Sequence, residues 1–205
     1  MLTISRIFCT FVLCVISLSA FADSAEDLQA QLDAMHTYEA QFKQTLLTSK
    51  REISVTQGKM ALWRPGRFYW KTYTPTEQWI IADGKTLWIY DVDLEQVTAK
   101  SQKQGITPTA GLFLSGSTKS VLPHFSISKK QQGSTVIFEL KAKTQQAGFQ
   151  QVRLTFSGHF LQALELKDKL DQQTRILFKQ EKWNPTLSKN LFEFHPPKGV
   201  DVLRQ

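Results

Sequence analysis

From Tyr38 onward, short segments in which apolar and polar residues alternate are separated by turn residues, and this pattern limits the fold more than any other feature. The clearest example is QWIIADGKTLWIYD, in which Trp79–Ala82 and Thr86–Tyr90 flank the dipeptide Asp83-Gly84. An Asp-Gly pair between two such runs is typical of a tight β-hairpin. The stretch therefore predicts two neighbouring antiparallel strands, and Pro65-Gly66 indicates a similar turn earlier in the chain.

Strand patterns continue to the end of the chain. They cover Glu95–Ala99, Phe125–Ser128, Thr135–Ala142, Gln150–Ser157, Leu161–Lys167, Arg175–Lys182 and Leu191–Phe194. Alternation of this kind favours an antiparallel sheet with one solvated face. Two segments have helical spacing instead, residues 23–35 and residues 108–114, and Gly116 can end the second one. We therefore predict an α+β fold, mainly β, with one long antiparallel meander and two short amphipathic helices.

The first 22 residues have the features of a secretory signal peptide. Arg6 precedes an apolar run from Ile7 to Leu18, and Ala20 and Ala22 form an A-x-A site. About 12 apolar residues are too few to span a bilayer, which needs about 20. We expect cleavage after Ala22 and export of a mature chain.

Both cysteines, Cys9 and Cys14, lie inside this segment, so the mature chain has none. A disulfide, a thiol nucleophile and a cysteine metal site are therefore excluded from the mature chain. Neither cysteine follows a small residue at the cleavage point, so we do not expect the protein itself to be lipidated.

Cleavage leaves 183 of the 205 residues, and this length suits one domain, 23–205. The net charge of +7 falls to +6 because Arg6 is lost with the signal peptide. A basic surface can bind nucleic acid, an anionic membrane or acidic proteins, or it can simply keep the protein dispersed. Because the chain is exported, we expect no nucleic-acid partner, whereas a membrane, an acidic protein and simple dispersal stay open.

The sequence offers few groups for catalysis or metal binding. His36, His124, His159 and His195 are scattered and lack the spacing of metal ligands. The acidic pair in Asp91–Asp93 lies between two strand patterns, where a turn is the simpler interpretation. No G-x-S-x-G motif is present. We therefore expect a protein that is not an enzyme and that has no metal and no cofactor.

Nine aromatic residues lie between Phe42 and Tyr90, most of them on predicted strands. An ordinary core beneath a helix explains them. A sheet whose apolar face is only partly covered, leaving a cavity for an apolar ligand, explains them as well. Composition alone favours the ordinary core, because large apolar residues are usually buried.

Arg64 is an unusual residue within this aromatic region. Counting in steps of two places it on one strand face with Met60, Leu62, Phe68 and Trp70. An unpaired guanidinium among large apolar groups would be costly. Arg64 must therefore lie at the edge of that face or bind a specific partner.

Several stretches resemble the LolA family, the periplasmic carriers that move lipoproteins to the outer membrane of Gram-negative bacteria. They are DLQAQLDAMHTYEAQF (27–42), RPGRFYW (64–70), DGKTLWIYDVDLEQVT (83–98), the Thr-Pro pair at 107–108 and FEFHPPKGV (192–200). The resemblance is specific because these unrelated stretches occur in order over essentially the whole mature chain.

The resemblance implies a single curved antiparallel sheet that forms an incomplete barrel covered by a lid of short α-helices. It also implies that the acyl chains of a lipoprotein occupy the space between the lid and the sheet. The corresponding lid residues are Leu28, Leu32, Met35, Pro108, Leu112 and Phe113. The residues expected to line the acyl-chain cavity are Phe42, Met60, Leu62, Phe68, Trp70, Trp79, Ile81 and Trp88.

Arg64 matches the arginine of the family's R-P motif, and the resemblance assigns it the role of a lid latch. In the family this arginine hydrogen-bonds the lid backbone and helps to hold the empty form closed. The resemblance further implies a monomeric, soluble periplasmic chaperone. An inner-membrane ABC transporter would load it with lipoproteins, and an outer-membrane lipoprotein receptor would unload it.

Other functions stay open at this point. The chain could be a receptor-type acceptor of the same fold, although the missing lipidation cysteine argues against it. It could also be a lipoprotein-sensing or unfolded-protein-sensing domain of that fold, although its single-domain length argues against a sensor with an added domain. It could also be a secreted hydrolase, which would need an acid/base or nucleophile cluster in the cavity.

Overall fold

The structure is a computed structural model that describes residues 19–49, 51–102, 110–144 and 149–205, without the side chains of residues 19–23 and Leu112. The helices in these ranges are α1 (Ser19–Asp33), α2 (Ala110–Ser115) and α3 (Thr118–Val121). Single 3₁₀ turns occupy Leu122–His124 and Lys189–Phe192.

The described residues also contain twelve strands. They are β1 (Thr37–Thr48), β2 (Arg51–Trp63), β3 (Arg67–Thr74), β4 (Gln78–Asp83), β5 (Thr86–Asp91), β6 (Gln96–Ser101), β7 (Phe125–Gln132), β8 (Thr135–Ala142), β9 (Gln151–Ser157), β10 (Phe160–Lys167), β11 (Gln173–Trp183) and β12 (Asp201–Arg204).

All these strands belong to one sheet, in the order β12-β6-β5-β4-β3-β2-β1-β11-β10-β9-β8-β7. Neighbouring strands are antiparallel, except that β12 runs parallel to β6. The sheet is curved and stays open, with β12 and β7 at its two edges. The predicted fold class is therefore confirmed: a mainly-β chain forms an incomplete barrel with a few short helices.

The hairpin between β4 and β5 shows how local sequence produces a turn. Asp83 Oδ1 accepts hydrogen bonds from the main-chain N–H groups of Lys85 and Thr86, each over 2.7 Å. Gly84 has a φ of 100°, which glycine adopts without the steric cost that a Cβ would add. The two strands pair antiparallel, as the sequence predicts.

Alternation along the strands gives the sheet two apolar faces. The inner face, defined as the one that α1 and α2 cover, carries the main core, to which most strands and these two helices contribute. The outer face carries a smaller cluster of Ala61, Tyr69, Ile81 and Phe192, which we call the outer cluster. Both faces of the central strands are therefore apolar, unlike the one-sided sheet that the sequence suggested.

The C-terminal segment crosses the outer face. The sequence pattern predicts a strand at Leu191–Phe194, and this prediction is wrong because a 3₁₀ turn occupies Lys189–Phe192. Phe192 is buried in the outer cluster, and the ring of Phe194 lies 5.6 Å from that of Trp88. The alternating apolar residues here reflect packing of a crossing segment against the sheet, and the last strand, β12, lies further on.

The two helical predictions agree with the structure in part. Helix α1 begins at Ser19, before the predicted cleavage site after Ala22, and ends at Asp33, whereas the pattern extends it to residue 35. Cleavage itself stays a prediction. Helix α2 ends directly before Gly116, as predicted. Its predicted start at residue 108 lies outside the described residues. None of the helices in the described ranges is both long and apolar enough to cross a bilayer.

Candidate functional site

Five of the eight predicted cavity residues lie together on the inner face. Phe42, Met60, Leu62, Phe68 and Trp70 all belong to the main core and are buried. Register explains their grouping, because Met60 is opposite Trp70 and Leu62 is opposite Phe68 on neighbouring strands. The rings of Phe42 and Trp70 stack with their centroids 4.0 Å apart. We call these five residues the floor.

Trp79, Ile81 and Trp88 lie on the outer face, so their predicted place in the same cavity is wrong. Ile81 is part of the outer cluster, and both tryptophans pack against that cluster. The prediction failed because the sequence marks all three residues as apolar but does not fix the register of β4 on β3.

The observed register of β4 identifies the inner-face residues that the sequence analysis missed. Phe68 pairs with Ala82 and Trp70 pairs with Ile80, and residues directly opposite each other share a face of the sheet. The missed residues are Ile80, Ala82, Leu87 and Ile89. The Asp-Gly turn fixes which residues of β4 and β5 pair, but not which of two apolar faces is the inner one.

The predicted lid residues that the structure describes pack into the same main core as the floor. They are Leu28, Leu32, Met35 and Phe113, and all of them are buried in the main core. Pro108 lies outside the described residues, and for Leu112 the structure gives only its position in α2. The covering layer thus combines α1, the turn after it, and α2.

Helix α2 approaches the floor closely because Gly111 has no side chain. A Cβ at this position would lie 2.7 Å from two ring carbons of Phe68, which is closer than packed carbon atoms approach. The close approach at Gly111 could not be predicted from the sequence, since nothing in the local pattern shows which residue faces it.

Arg64 lies in the turn between β2 and β3 and binds the last turn of α2. Its Nη1 donates a hydrogen bond to the main-chain carbonyl of Leu114. Its Nη2 lies 3.9 Å from Oδ1 of Asp33, at the end of α1, and the Arg64 side chain is only 8% exposed. Arg64 therefore has two partners, the carbonyl of α2 that the family resemblance implies and the carboxylate of Asp33.

Asp33 connects the two parts of the covering layer. Thr118, the first residue of α3, donates from its hydroxyl to Asp33 Oδ1 over 2.8 Å, and Thr118 is buried. The same carboxylate oxygen faces Arg64. We call Arg64, Asp33, Leu114 and Thr118 the latch junction, because α1, the α2–α3 segment and the β2–β3 turn meet there.

A main-chain hydrogen bond holds the same end of α2 independently of the Arg64 side chain. The N–H of Gly66 donates to the carbonyl of Ser115 over 2.8 Å. Gln102 supports this turn, since its Nε2 donates to the Gly66 carbonyl over 2.9 Å and its Oε1 accepts from the N–H of Gly84 over 2.7 Å. Removing the guanidinium would therefore weaken the attachment of α2 without abolishing it.

Arg64 carries its charge in a mostly buried position. Burial lowers the pKa of its guanidinium, and the nearby Asp33 carboxylate acts in the opposite direction. Arginine still keeps its charge at any physiological pH. A hydrogen bond from a charged group contributes about 1.5–3 kcal/mol net to the attachment of α2.

A cavity of about 280 Å³ opens at the end of the strands opposite the latch junction. Its apolar lining consists of Phe68, Trp70, Ile80, Ala110, Gly111, Phe149 and Leu166. Its polar lining consists of Gln44, Thr56, Thr72, Thr76, Gln78 and Thr174. Helix α2 extends from the cavity to the latch junction, because its first residues line the cavity and its last residues contact the latch junction.

Groups that could perform acid/base or metal chemistry are dispersed. Within the ranges that the structure describes, no three His, Cys, Asp or Glu side chains gather closely enough to hold a metal ion. The buried Tyr38 hydroxyl donates to the carbonyl of Leu161 over 2.9 Å, and burial raises the pKa of this phenol. This tyrosine is therefore neutral at physiological pH and attaches β1 to β10.

A family model and individual relatives of this chain carry the same family description. The family model described as "Outer membrane lipoprotein carrier protein LolA" matches residues 33–195. An outer-membrane lipoprotein carrier protein of Legionella pneumophila (strain Lens) is 50% identical over 182 residues, which cover 89% of this chain and 90% of that protein. One of Pseudomonas fluorescens (strain Pf-5) is 39% identical over 197 residues, covering 95% of each chain.

Solved structures with low sequence identity share the fold. An uncharacterised conserved protein from Thermus thermophilus superimposes with a TM-score of 0.53 at 12% identity, over 90% of this chain and 99% of that one. MucB superimposes with a TM-score of 0.52 at 13% identity, over 89% of this chain and 66% of MucB. At these identities the likeness concerns the arrangement of the sheet and helices alone.

Proposed function

Because this chain belongs to the LolA family of outer membrane lipoprotein carrier proteins, we propose that it is a periplasmic, non-enzymatic chaperone that binds the acyl chains of lipoproteins. The proposed binding site is the space between the floor and its covering helices. The predicted signal peptide, residues 1–22, supports export to the compartment where such a carrier would work. We propose that the mature chain acts as a monomer.

The observation that carries this proposal is a continuous apolar inner face covered by short helices rather than by a second sheet. Burying a methylene group contributes about 0.8 kcal/mol, so a long acyl chain resists water by about 10 kcal/mol. A lipoprotein therefore needs an apolar container in order to cross an aqueous compartment. The floor, with the stacked rings of Phe42 and Trp70, offers that environment.

The cavity in this structure suits an empty, closed state. Its volume of about 280 Å³ is below the usual range for drug-sized ligands, about 300–1,000 Å³. Acyl chains of a lipoprotein would therefore require the covering helices to move away from the floor. A few hydrogen bonds at the latch junction hold α2, so the proposed opening breaks these bonds together with the apolar packing of Phe113 and Leu114.

We assign Arg64 the role of a latch that biases the empty protein toward the closed state. A ligand shifts such an equilibrium only through its different affinity for the two states. Acyl chains bind the open state, and the Arg64 contact with Leu114 stabilises the closed one. In this proposal an inner-membrane ABC transporter supplies the energy for loading, and reclosure at an outer-membrane receptor favours release of the cargo.

Release of lipoproteins from spheroplasts tests the proposed function. Spheroplasts of a Gram-negative bacterium are incubated with the purified mature protein or with buffer, and lipoproteins in the soluble fraction are measured by immunoblot. We expect release that depends on added protein and saturates with its concentration. Mass spectrometry of the material that co-purifies with the protein should then detect acylated N-terminal cysteine peptides. Release no greater than with buffer would contradict the proposal.

A further inference from the structure

The inner face changes from apolar to uncharged polar residues along a staggered line across five adjacent strands, β4-β3-β2-β1-β11. On each strand, moving away from the latch junction, the last apolar inner-face residue is followed two positions further by a polar one. The pairs are Phe42 and Gln44, Gly58 and Thr56, Trp70 and Thr72, Ile80 and Gln78, and Ile176 and Thr174. Thr76, in the turn between β3 and β4, lies at the same place. We call the six polar residues the polar rim of the cavity.

Strand register connects the residues of the polar rim in steps. Thr72 is the register partner of Gln78, and Gln44 is the register partner of Thr56. Within each pair the Cβ atoms are about 4.5–5.5 Å apart. Thr72 is opposite Gly58 and Gln44 is opposite Ile176, so Thr56 and Thr174 are their diagonal neighbours, at about 7–8 Å. These residues line the cavity beyond the apolar floor.

The described residues of the polar rim carry no charge, although a depression that shares Leu166 and Thr174 with the cavity holds Arg153, Lys167 and Arg175, each paired with a carboxylate. Neither lysine nor arginine lines this cavity among the described residues. Asp91 is hydrogen-bonded to the rim, because its Oδ1 accepts from Nε2 of Gln78 over 2.7 Å. A neighbouring depression holds Lys143 and Lys169 and shares only Phe149 with the cavity.

We infer that the cavity selects acyl chains whose head group is neutral, as in the diacylglyceryl group on a lipoprotein cysteine, and discriminates against anionic phospholipids. Threonine hydroxyl and glutamine amide groups can donate to the ester and amide carbonyls of such a head group. A phosphate at the same position would lose hydration without a cation among the described lining residues to pair with, and it would face Asp91. This selectivity rests on the proposed function and adds a head-group preference to it.

Tryptophan quenching by brominated acyl chains tests the selectivity, because Trp70 lines the cavity. The two probes are a synthetic diacylglyceryl-cysteine lipopeptide with an uncharged peptide and phosphatidylglycerol with the same brominated chains. We expect half-maximal quenching by the lipopeptide at a concentration at least about tenfold lower than by phosphatidylglycerol. Trp70→Phe should remove most of the quenching, which would place the signal at the cavity.

Two lysine substitutions form a matched pair. Thr72→Lys adds a cation to the polar rim, and it should strengthen phosphatidylglycerol binding and bring the ratio of the two affinities close to one. Thr155→Lys adds the same charge to the outer face of β9, whose inner-face residues are Leu154 and Phe156, and it should leave the ratio unchanged. Thr72→Val, which removes a hydroxyl, should weaken lipopeptide binding alone.

The outcomes separate this inference from the proposed function. Equal affinities for the two lipids in the unmodified protein, or a preference that Thr72→Lys leaves intact, would overturn the selectivity while leaving the carrier function standing. Phosphatidylglycerol binding that disappears in Lys169→Gln would also overturn it, because the head group would then lie in the neighbouring depression. Quenching by neither lipid would contradict the carrier function itself.

Discussion

Arg64, in the turn between β2 and β3, donates a hydrogen bond to the main-chain carbonyl of Leu114 in the last turn of α2. The two residues are 50 positions apart in the sequence. Helix α2 has only six residues, so its other end, at Ala110 and Gly111, borders the cavity. A change at this one hydrogen bond therefore alters how firmly the helix covers the cavity.

Replacement of Arg64 by leucine should loosen α2. Loss of a charged hydrogen bond worth about 1.5–3 kcal/mol should raise the amide hydrogen exchange rate of residues 110–115 by about tenfold or more. Hydrogen exchange followed by mass spectrometry measures this rate. In a transfer assay we expect the substitution to alter hand-over of lipoproteins more than their loading.

Arg67→Leu is the control for this substitution. The Arg67 guanidinium lies 5.6 Å from the ring of Trp63, and its Nε donates to the carbonyl of Asp83, so it lies away from α2. Exchange in α2 should be unchanged in Arg67→Leu. If Arg64→Leu also leaves α2 exchange unchanged, the latch role of Arg64 is wrong.

Gly111→Ala should displace α2 from the floor. The new Cβ would lie 2.7 Å from ring carbons of Phe68, and overpacking of this kind typically costs about 1–3 kcal/mol. Urea unfolding measures the loss of stability. Combining Gly111→Ala with Phe68→Leu should recover part of that loss, because the smaller side chain makes room for the methyl group. Strictly additive effects in this double-mutant cycle would show that the two residues do not compete for the same space.

Strand alternation and turn residues are local properties, and they were sufficient to predict most strands, the short α2 and the mainly-β class. The face on which each strand residue lies is not local when both faces are apolar. Ile80 and Ile81 are equally apolar, and only the pairing of β4 with β3 places the first inside and the second outside.

Contacts between distant segments were the other part that could not be predicted from residue patterns. The hydrogen bond between Thr118 and Asp33 joins residues 85 positions apart. The burial of Phe192 depends on how the C-terminal segment crosses the sheet. Arg64 is intermediate between these cases: its charge within an apolar pattern required a partner, but only the folded chain identifies Leu114 and Asp33 as the partners.

A pair of tryptophan substitutions distinguishes the two faces of the sheet. Trp70→Leu removes an aromatic ring from the floor of the cavity, whereas Trp88→Leu removes one that packs against the outer cluster. Each should lower the free energy of unfolding by about 1–3 kcal/mol. Only Trp70→Leu should reduce release of lipoproteins from spheroplasts at a temperature where both variants stay folded. A larger effect of Trp88→Leu on release would indicate that the outer face binds the cargo.

The carboxylate of Glu77 should make stability depend on pH. Hydrogen bonds from Lys71 Nζ, over 2.7 Å, and from the Trp79 indole N–H, over 2.6 Å, hold the pKa of Glu77 below its ordinary value of 4.5. A depressed pKa means that this contribution to stability is fully present above pH 4.5 and is lost as pH falls through the lower folded-state value. Glu77→Gln should therefore reduce stability at neutral pH, and the difference should shrink in acid.

Urea unfolding of the unmodified protein and of Glu77→Gln, repeated from about pH 7 to about pH 3, measures this difference. Lys71→Met removes the larger of the two interactions and should reproduce the same trend. A difference between the unmodified protein and Glu77→Gln that stays constant over the whole range would show that the ionised carboxylate does not stabilise the fold.

Asp33 and Thr118 should behave as a coupled pair, with unequal costs when either is changed. Asp33→Ala leaves the buried Thr118 hydroxyl without its acceptor, and an unsatisfied buried polar group costs about 1–3 kcal/mol. Thr118→Val leaves the Asp33 carboxylate, which is 48% exposed and can be hydrated, so it should cost less. Urea unfolding should rank Asp33→Ala as more destabilising than Thr118→Val, and the double variant should lose less stability than the sum of the two.

Asp27→Ala, in the same helix but paired with Lys129 over 2.5 Å, is the control and should leave α2 exchange unchanged. Because Asp33 faces both Thr118 and Arg64, Asp33→Ala should also speed exchange in α2; if exchange increases only in α1, the junction does not join the two parts of the covering layer.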